Sequence, residues 1–270
     1  MVEAKRLVAI VGRLGVHPMV RLSLPGRRLL AYLALRGQPV CRGVAASDLW
    51  PNVLDDVGRA NLRRALWHVP RGWVQVVADE LVVDAECDLK HAHRVAASAL
   101  NGEPLTLAEI NLLSNDILPG WQEDWVLAAH ESFRTLRVQA LEAACRTMAG
   151  SGCYALATQA GLAAVAAEPL RESAAEALIN AHLAQRNRYE AAQCFQTLAQ
   201  RLHDELGVLP DLSLTRRLVG LGLAGPLTPL PRRATVPAPL TRRPSKRDGT
   251  ATELSRQSDN EAPAARHARR

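Results

Sequence analysis

From about Asp88 to Ala224, apolar residues recur at helical spacing almost without interruption. A 3.6-residue period predicts amphipathic helices that bury one face against their neighbours. Aromatic residues make up only 4% of the chain, so its cores must be built from Leu, Ala and Val, which favours close-packed helices. The chain is therefore predicted to be mainly α. One helix is predicted to begin near Asp124 and to carry an apolar stripe formed by Phe133, Leu136, Ala140, Ala144 and Met148.

This helical region contains an internal repeat. The pattern Tyr154-x-x-Ala157 returns as Tyr189-x-x-Ala192, a separation of 35 residues. A helix-hairpin repeat of about 34 residues is the period of tetratricopeptide (TPR) proteins. Pro169, between the two units, suits the first turn of a helix. Residues 88–221 are therefore predicted to form an all-α, TPR-like domain in which both tyrosines pack between repeats.

The first 87 residues follow a different pattern. β-rich runs at 7–24 and 74–83 are predicted to form hairpins, and helices are predicted at 26–35, 43–50 and 57–68. Asp55 and Asp56 precede the third helix and are acceptable caps. Three short helices followed by a hairpin are the layout of a winged helix-turn-helix, whose third helix enters the major groove. Residues 1–87 are predicted to be such a domain.

The charge is unevenly distributed along the chain. Residues 1–73 carry 12 Lys and Arg against 4 Asp and Glu (net +8), residues 74–221 carry 11 against 19 (net −8), and residues 222–270 carry 10 against 4 (net +6). Only the two ends suit a polyanion, which makes nucleic acid the first expected partner, although a merely solubilising surface is the alternative. The last segment is rich in Pro and Arg and is predicted to be a disordered tail.

The third predicted helix has two chemically distinct faces. Leu62, Ala65, Leu66 and Val69 form an apolar stripe, while residues 57–73 as a whole hold four Arg and no acid. Arg suits bidentate recognition of guanine or phosphate, and Asn can read adenine. A solvated surface helix would explain the same composition, but the position before a wing-like hairpin favours DNA. The predicted DNA-binding residues are Arg59, Asn61, Arg63, Arg64, Trp67, His68 and Arg71.

The predicted wing is less suited to DNA. Its tip carries Asp79 and Glu80, which would repel phosphate, so Arg71 at its base is the better candidate for a phosphate contact. Arg27 and Arg28 on the first helix are further candidates for contact with the DNA backbone.

Enzyme, metal and membrane signatures are absent from the sequence. No phosphate-binding loop, dinucleotide fingerprint, zinc-protease motif or nucleophile elbow occurs, so no catalytic residue or cofactor is expected. His91 and His93 lack a third ligand, and the adjacent acids Glu123 and Asp124 suit a helix dipole. Five scattered cysteines without a C-x-x-C pair fit a reducing compartment. No apolar run reaches membrane-span length, and the expected location is the cytoplasm.

Six segments together resemble one known family. The head resembles the antibiotic regulatory proteins of Streptomyces and their relatives, and the body resembles the bacterial transcriptional activator domain that follows their winged helix. Several motifs agree in order over about residues 5–221, which makes the resemblance specific. The matching segments are 27–35, 49–51 and 59–67 in the head, and 118–126, 168–173 and 204–207 in the body.

The resemblance implies a transcriptional activator that binds direct repeats in promoter DNA, often as a homodimer, and helps to recruit RNA polymerase to a biosynthetic gene cluster. An alternative is a helical protein-interaction adaptor with weak or no specific DNA binding, which the acidic wing and TPR-like body favour. A metabolic enzyme would require a convergent polar pocket. Trp121 and Trp125 are predicted to plug the junction between head and body rather than to form a ligand site.

Overall fold

The computed structural model describes residues 6–224, and within this range strands occur only before residue 88. The predicted fold class, mainly α with short strands near the N-terminus, is confirmed. Of the tail predicted at 222–270, everything after residue 224 lies outside the described residues. The strands are β1 (Leu7–Ala9), β2 (Gly15–His17), β3 (Val40–Cys41), β4 (Val74–Val77), β5 (Glu80–Val83) and β6 (Glu86–Cys87). The helices are α1 (Leu24–Arg36), α2 (Arg42–Leu49), α3 (Asp55–Trp67), α4 (Asp88–Leu100), α5 (Leu107–Ser114), α6 (Asp124–Gly150), α7 (Tyr154–Ala167), α8 (Glu172–Ala184), α9 (Arg188–Leu206) and α10 (Leu212–Gly220).

Two small sheets frame the first three helices. Strand β1 pairs antiparallel with β2, so a hairpin forms within residues 7–24, but its second strand is Gly15–His17 and not the predicted 20–24. Strand β1 also pairs parallel with β6, which was not predicted. In the second sheet β5 lies between β3 and β4, so the predicted wing hairpin is confirmed and gains a third strand. Residues 20–24 were expected to be extended, but they lead into α1 instead. There the Ser23 hydroxyl accepts a hydrogen bond from the amide of Gly26 and caps the helix.

Helix α3 begins two residues before its predicted start. Asp55 and Asp56 lie within its first turn, so their prediction as caps is wrong. The N-cap is Leu54, whose side chain cannot accept a hydrogen bond. The two carboxylates nevertheless stabilise the helix, because negative charge is favourable near a helix N-terminus.

The N-terminus of α1 lies directly against the end of α3. Gly26 is buried, and a Cβ built on it would lie 2.9 Å from the main-chain oxygen of His68. Only glycine allows this approach. Behind the contact, Leu29 and Leu33 of α1 pack in the same core as Leu62 of α3. The close packing of α3 against α1 therefore requires glycine at position 26.

The end of β1 joins the head to the helical body. Both carboxylate oxygens of Asp88, the first residue of α4, accept main-chain hydrogen bonds, from Ile10 at 2.8 Å and from Val11 at 3.1 Å. The Ile10 carbonyl in turn accepts from the amide of Leu118 at 2.8 Å. One hydrophobic core extends from Val8 in β1 to α8. The predicted division of the chain at residue 88 stays a prediction, since residues on both sides contribute to this core.

The two tryptophans fill the junction, as predicted. The Trp125 ring packs edge-on against Tyr32 of α1, with 5.3 Å between ring centroids, and Trp121 packs against Trp125 at 6.0 Å. The Tyr32 hydroxyl donates a 2.8 Å hydrogen bond to Asp48 of α2. Burial, together with this carboxylate, raises the pKa of Tyr32 to about 12. One tyrosine thus connects α1, α2 and α6.

An ion pair crosses the same junction. Arg28 Nε lies 3.0 Å from Glu123 Oε1, and both side chains are about three-quarters buried. The contact of Arg28 with the DNA backbone stays a prediction, although the body already holds its Nε through Glu123. Glu123, expected to serve the dipole of α6, is its N-cap residue and makes this cross-junction contact as well.

The body ends in the two predicted helix pairs, α7 with α8 and α9 with α10. Tyr154 is half-buried, but Tyr189 is 69% exposed, so the prediction that both tyrosines pack between repeats is wrong for Tyr189. The buried stripe of α9 passes through Ala191 and Phe195. Tyr189 precedes Ala191 by two residues, which places it about 200° around the helix from that stripe.

A buried carboxylate ties α6 to the start of α8. Glu142 is 3% exposed, and its Oε1 accepts hydrogen bonds from Arg171 Nε at 2.6 Å and Ser173 Oγ at 2.9 Å. A buried charge is tolerated only when it is paired and hydrogen-bonded. Arg171 and Ser173 belong to the segment 168–173, one of the segments that carry the family resemblance. Their structural role is to hydrogen-bond the buried Glu142 carboxylate.

Replacement of Gly26 by Ala should destabilise the head by about 1–3 kcal/mol, because the new methyl group overlaps the His68 carbonyl. The free energy of unfolding from urea denaturation measures the effect. Gly43→Ala is the matched control, since a Cβ there only touches Cys41 Sγ at 4.0 Å. Equal stability of the two variants would contradict the proposed packing of α1 on α3.

Replacement of Glu142 by Ala should cost about 3 kcal/mol, because it leaves Arg171 unpaired in a partly buried position. Thermal and urea unfolding measure this loss. Glu131→Ala on the same helix removes an exposed carboxylate paired with Arg134 and should cost less than about 1 kcal/mol. The explanation fails if the two variants are equally stable.

Candidate nucleic-acid interface

The two faces of α3 are divided as predicted. Leu62 and Ala65 are buried and Leu66 is half-buried, whereas the side chains on the other face are exposed. The stripe is in the core because residues three and four apart share one side of a helix. The exposed residues of the predicted set on this helix and its end are Arg59, Arg63, Arg64, Trp67 and His68, and Asn61 is half-buried.

Trp67 is the most conspicuous side chain on this surface. It is 90% exposed, while Trp73, six residues later, is 3% exposed. An exposed indole contributes little to the stability of the fold. It offers a binding partner a large apolar face and one hydrogen-bond donor. A shallow surface pocket brings it together with Arg63, Arg64 and His68.

The arginines of this region carry uncompensated charge. In the described part of the chain, none of Arg59, Arg63, Arg64 and Arg71 forms an ion pair with a carboxylate. Arg36 in the same head behaves differently, since its guanidinium lies 2.5 Å from Asp48. Three arginines without a carboxylate partner, Arg59, Arg63 and Arg64, therefore lie on one exposed helix face.

Asn61 and Arg64 are linked to each other. Arg64 Nη1 donates a 3.3 Å hydrogen bond to Asn61 Oδ1, three residues earlier on the helix. This contact restrains the Asn61 amide and leaves the remaining guanidinium donors of Arg64 available, because Arg has five N–H groups.

A second cleft lies between α3 and the wing. Arg59 and Arg63 line it with Arg42 and Asp79 at the wing tip, in a volume of about 270 Å³. The Asp79 carboxylate accepts a 3.2 Å contact from the Cys41 thiol, and its main-chain oxygen accepts from the amide of Arg42. Sequence reasoning missed Arg42 because it precedes the predicted start of the second helix by one residue.

The remaining predicted residues are separate from these two groups. Arg71 follows α3 and is exposed, but it lines neither cleft. Arg27 is exposed in a different groove, which it shares with Arg13 and Trp121 beside the β1–β2 hairpin. Of the predicted set, the structure therefore gathers the residues of α3 and leaves Arg71 apart.

The described residues contain neither a metal-binding cluster nor a membrane-spanning helix. Between residues 6 and 224 no cluster of three or more His, Cys, Asp or Glu side chains could hold a metal ion. Within that range no helix is both long and apolar enough to cross a membrane.

Comparison with known proteins identifies the family. Residues 83–218, half of the chain, match the family described as "Bacterial transcriptional activator domain", and the chain belongs to this family. The predicted resemblance to regulators of the antibiotic regulatory protein type is confirmed. The family is one of transcriptional regulators.

A solved structure shares the fold. The structure of Mycobacterium tuberculosis EmbR in complex with a low-affinity phosphopeptide matches with a TM-score of 0.53 and 21% sequence identity. The match covers 84% of this chain and 67% of the EmbR chain. Comparison with curated proteins gave no significant match.

Replacement of Trp67 by Ala should change the free energy of unfolding by no more than about 0.5 kcal/mol, because the side chain makes little contact with the fold. The same change at the buried Trp73 should cost about 3–5 kcal/mol. Urea denaturation of both variants measures the difference. A loss above about 1 kcal/mol for Trp67→Ala would show that Trp67 serves stability rather than binding.

Proposed function

We propose that this transcriptional regulator binds promoter DNA through α3 and activates a secondary-metabolite gene cluster by contacting RNA polymerase. The observation that carries the proposal is the exposed face of α3, where unpaired arginines surround an exposed tryptophan. A polyanion would supply the negative charge that the fold does not.

The side chains of α3 suit distinct parts of a DNA duplex. Arg63 and Arg64 can each contact a guanine edge or a phosphate in bidentate fashion. Asn61, restrained by Arg64, has the donor and acceptor that an adenine edge requires. Trp67 can pack on a thymine methyl group or a sugar, His68 can donate a hydrogen bond to a phosphate, and Arg71 adds positive charge beyond the helix.

The wing has a minor role in this proposal. Asp79 and Glu80 are exposed at its tip and would repel phosphates. The contact from Cys41 to Asp79 holds one of these carboxylates beside α2, and Arg59 with Arg42 lies nearby. The helix therefore carries most of the DNA affinity.

The body is proposed to contact protein. Residues 88–221 carry 11 Lys and Arg against 15 Asp and Glu, a net charge of −4, which opposes association with DNA and leaves RNA polymerase as the proposed partner. The family resemblance supports a homodimer on direct repeats and a role in antibiotic biosynthesis. The proposed location is the cytoplasm, where a bacterial chromosome is transcribed.

A paired-arginine variant tests the function. We expect Arg63→Ala/Arg64→Ala to weaken binding of the full chain to a site selected from random duplexes by about 30-fold or more, because each bidentate contact contributes about 1–3 kcal/mol. Gel shifts at several salt concentrations measure both affinity and salt slope, and loss of two phosphate contacts would reduce the slope by about 1.8.

Arg94→Ala/Arg216→Ala is the matched control, since it removes two exposed arginines outside the head. It should bind DNA nearly as the parent chain does. Undiminished specific binding by the Arg63/Arg64 variant would refute the assignment of α3. If the parent chain shows no salt-dependent DNA affinity, the adaptor interpretation, which the acidic wing tip favours, replaces the proposal.

A further inference from the structure

A cleft far from α3 opens between α7, α8 and α9. Its volume is about 240 Å³. Apolar side chains form its floor, including Val165, Ala175 and Leu198, one from each helix. Polar side chains from α9, among them Glu190 and Arg201, line it as well. An apolar cavity with a few polar groups is the general form of a small-molecule site.

His182 lines this cleft and lacks an internal partner. It is only 8% exposed, and its Nδ1 has no hydrogen-bond partner among residues 6–224. Burial lowers the pKa of His182, with the Glu190 carboxylate acting in the opposite direction, so the imidazole is neutral at pH 7. A buried polar atom without a partner costs free energy, which a ligand atom placed against it would recover.

The charges of the cleft indicate a neutral ligand. Glu190 and Arg201 form no ion pair with any described residue, and they lie eleven residues apart on α9, about 16 Å along its axis. Two opposite charges at this separation leave the lining without net charge. A charged ligand would lose its hydration without finding a matched counter-ion at the centre of the cleft.

Size and hydrogen bonding define the ligand further. The volume is below the range of about 300–1,000 Å³ typical of drug-sized sites, which suits one ring or a short branched chain. A neutral imidazole presents one donor and one acceptor nitrogen. A hydroxyl group can donate or accept, so it satisfies Nδ1 in either tautomer.

We propose that this cleft binds a small neutral molecule with an apolar ring or chain and one hydroxyl group, which hydrogen-bonds to His182. No residue lines both this cleft and the pockets beside α3, so the test below needs no DNA and does not depend on whether α3 binds it.

The test uses p-cresol as the probe and toluene as the probe without a hydroxyl. Long-range ¹H–¹⁵N spectra of the full chain labelled at histidine should show saturable shifts of the His182 ring nitrogens on addition of p-cresol. Toluene should bind about three- to tenfold more weakly, the loss expected for one hydrogen bond. Absence of saturable His182 shifts with p-cresol would overturn the proposal.

Two variants distinguish the contribution of the His182 hydrogen bond to binding from the contribution of the apolar cavity. In the variants, binding of each probe is measured by ¹H–¹³C shifts of the Val165 and Leu198 methyl groups, which line the cleft. His182→Phe should bind p-cresol no more tightly than toluene, and His203→Phe, a change of the same type on α9 outside the cleft, should keep the preference. Ala175→Leu fills the floor and should abolish binding of both probes, with folding checked by thermal unfolding. An unchanged preference for p-cresol in His182→Phe, or unchanged binding in folded Ala175→Leu, would contradict the site.

Discussion

The hydrogen bonds from the amides of Ile10 and Val11 to Asp88 are the joint on which the rest of the structure depends. They complete the end of β1, whose other partners come from β2 and β6, and they use a carboxylate whose charge suits the N-terminus of α4. Burial raises the pKa of Asp88, and the hydrogen bonds from Ile10 and Val11 act in the opposite direction. Through this joint and the Trp125–Tyr32 contact, the head and body share one core.

The arginines divide into two groups by their partners. Arg28 and Arg171 are paired with glutamates and hold elements of the fold together. Arg63 and Arg64 face solvent without carboxylate partners in the described part of the chain. Paired arginines lower the net field around themselves, whereas unpaired ones leave it available to a polyanion. The proposal for α3 rests on Arg63 and Arg64 lying together with Trp67 on one exposed face.

Local sequence patterns predicted most of the helices and strands. They did not predict contacts between residues that are far apart in the sequence. Helical spacing placed α3 to within two residues and assigned its two faces, because this spacing depends only on neighbouring residues, whereas the predicted caps were wrong. The pairing of β1 with β6 and the pairing of Arg28 with Glu123, 95 residues apart, have no local signal. The cleft beside His182 could not be predicted from the sequence either, because its lining residues come from three different helices. Which α3 side chains touch DNA stays a prediction.

Photo-crosslinking tests most directly whether the helix rather than the wing meets DNA. Benzoylphenylalanine would replace Trp67 on α3 in one protein and Asp79 at the wing tip in another, each bound to a duplex obtained by selection. Both positions are exposed, so both probes are accessible. The account predicts efficient crosslinks to DNA from position 67 and few from position 79. Crosslinks from position 79 with none from position 67 would contradict it.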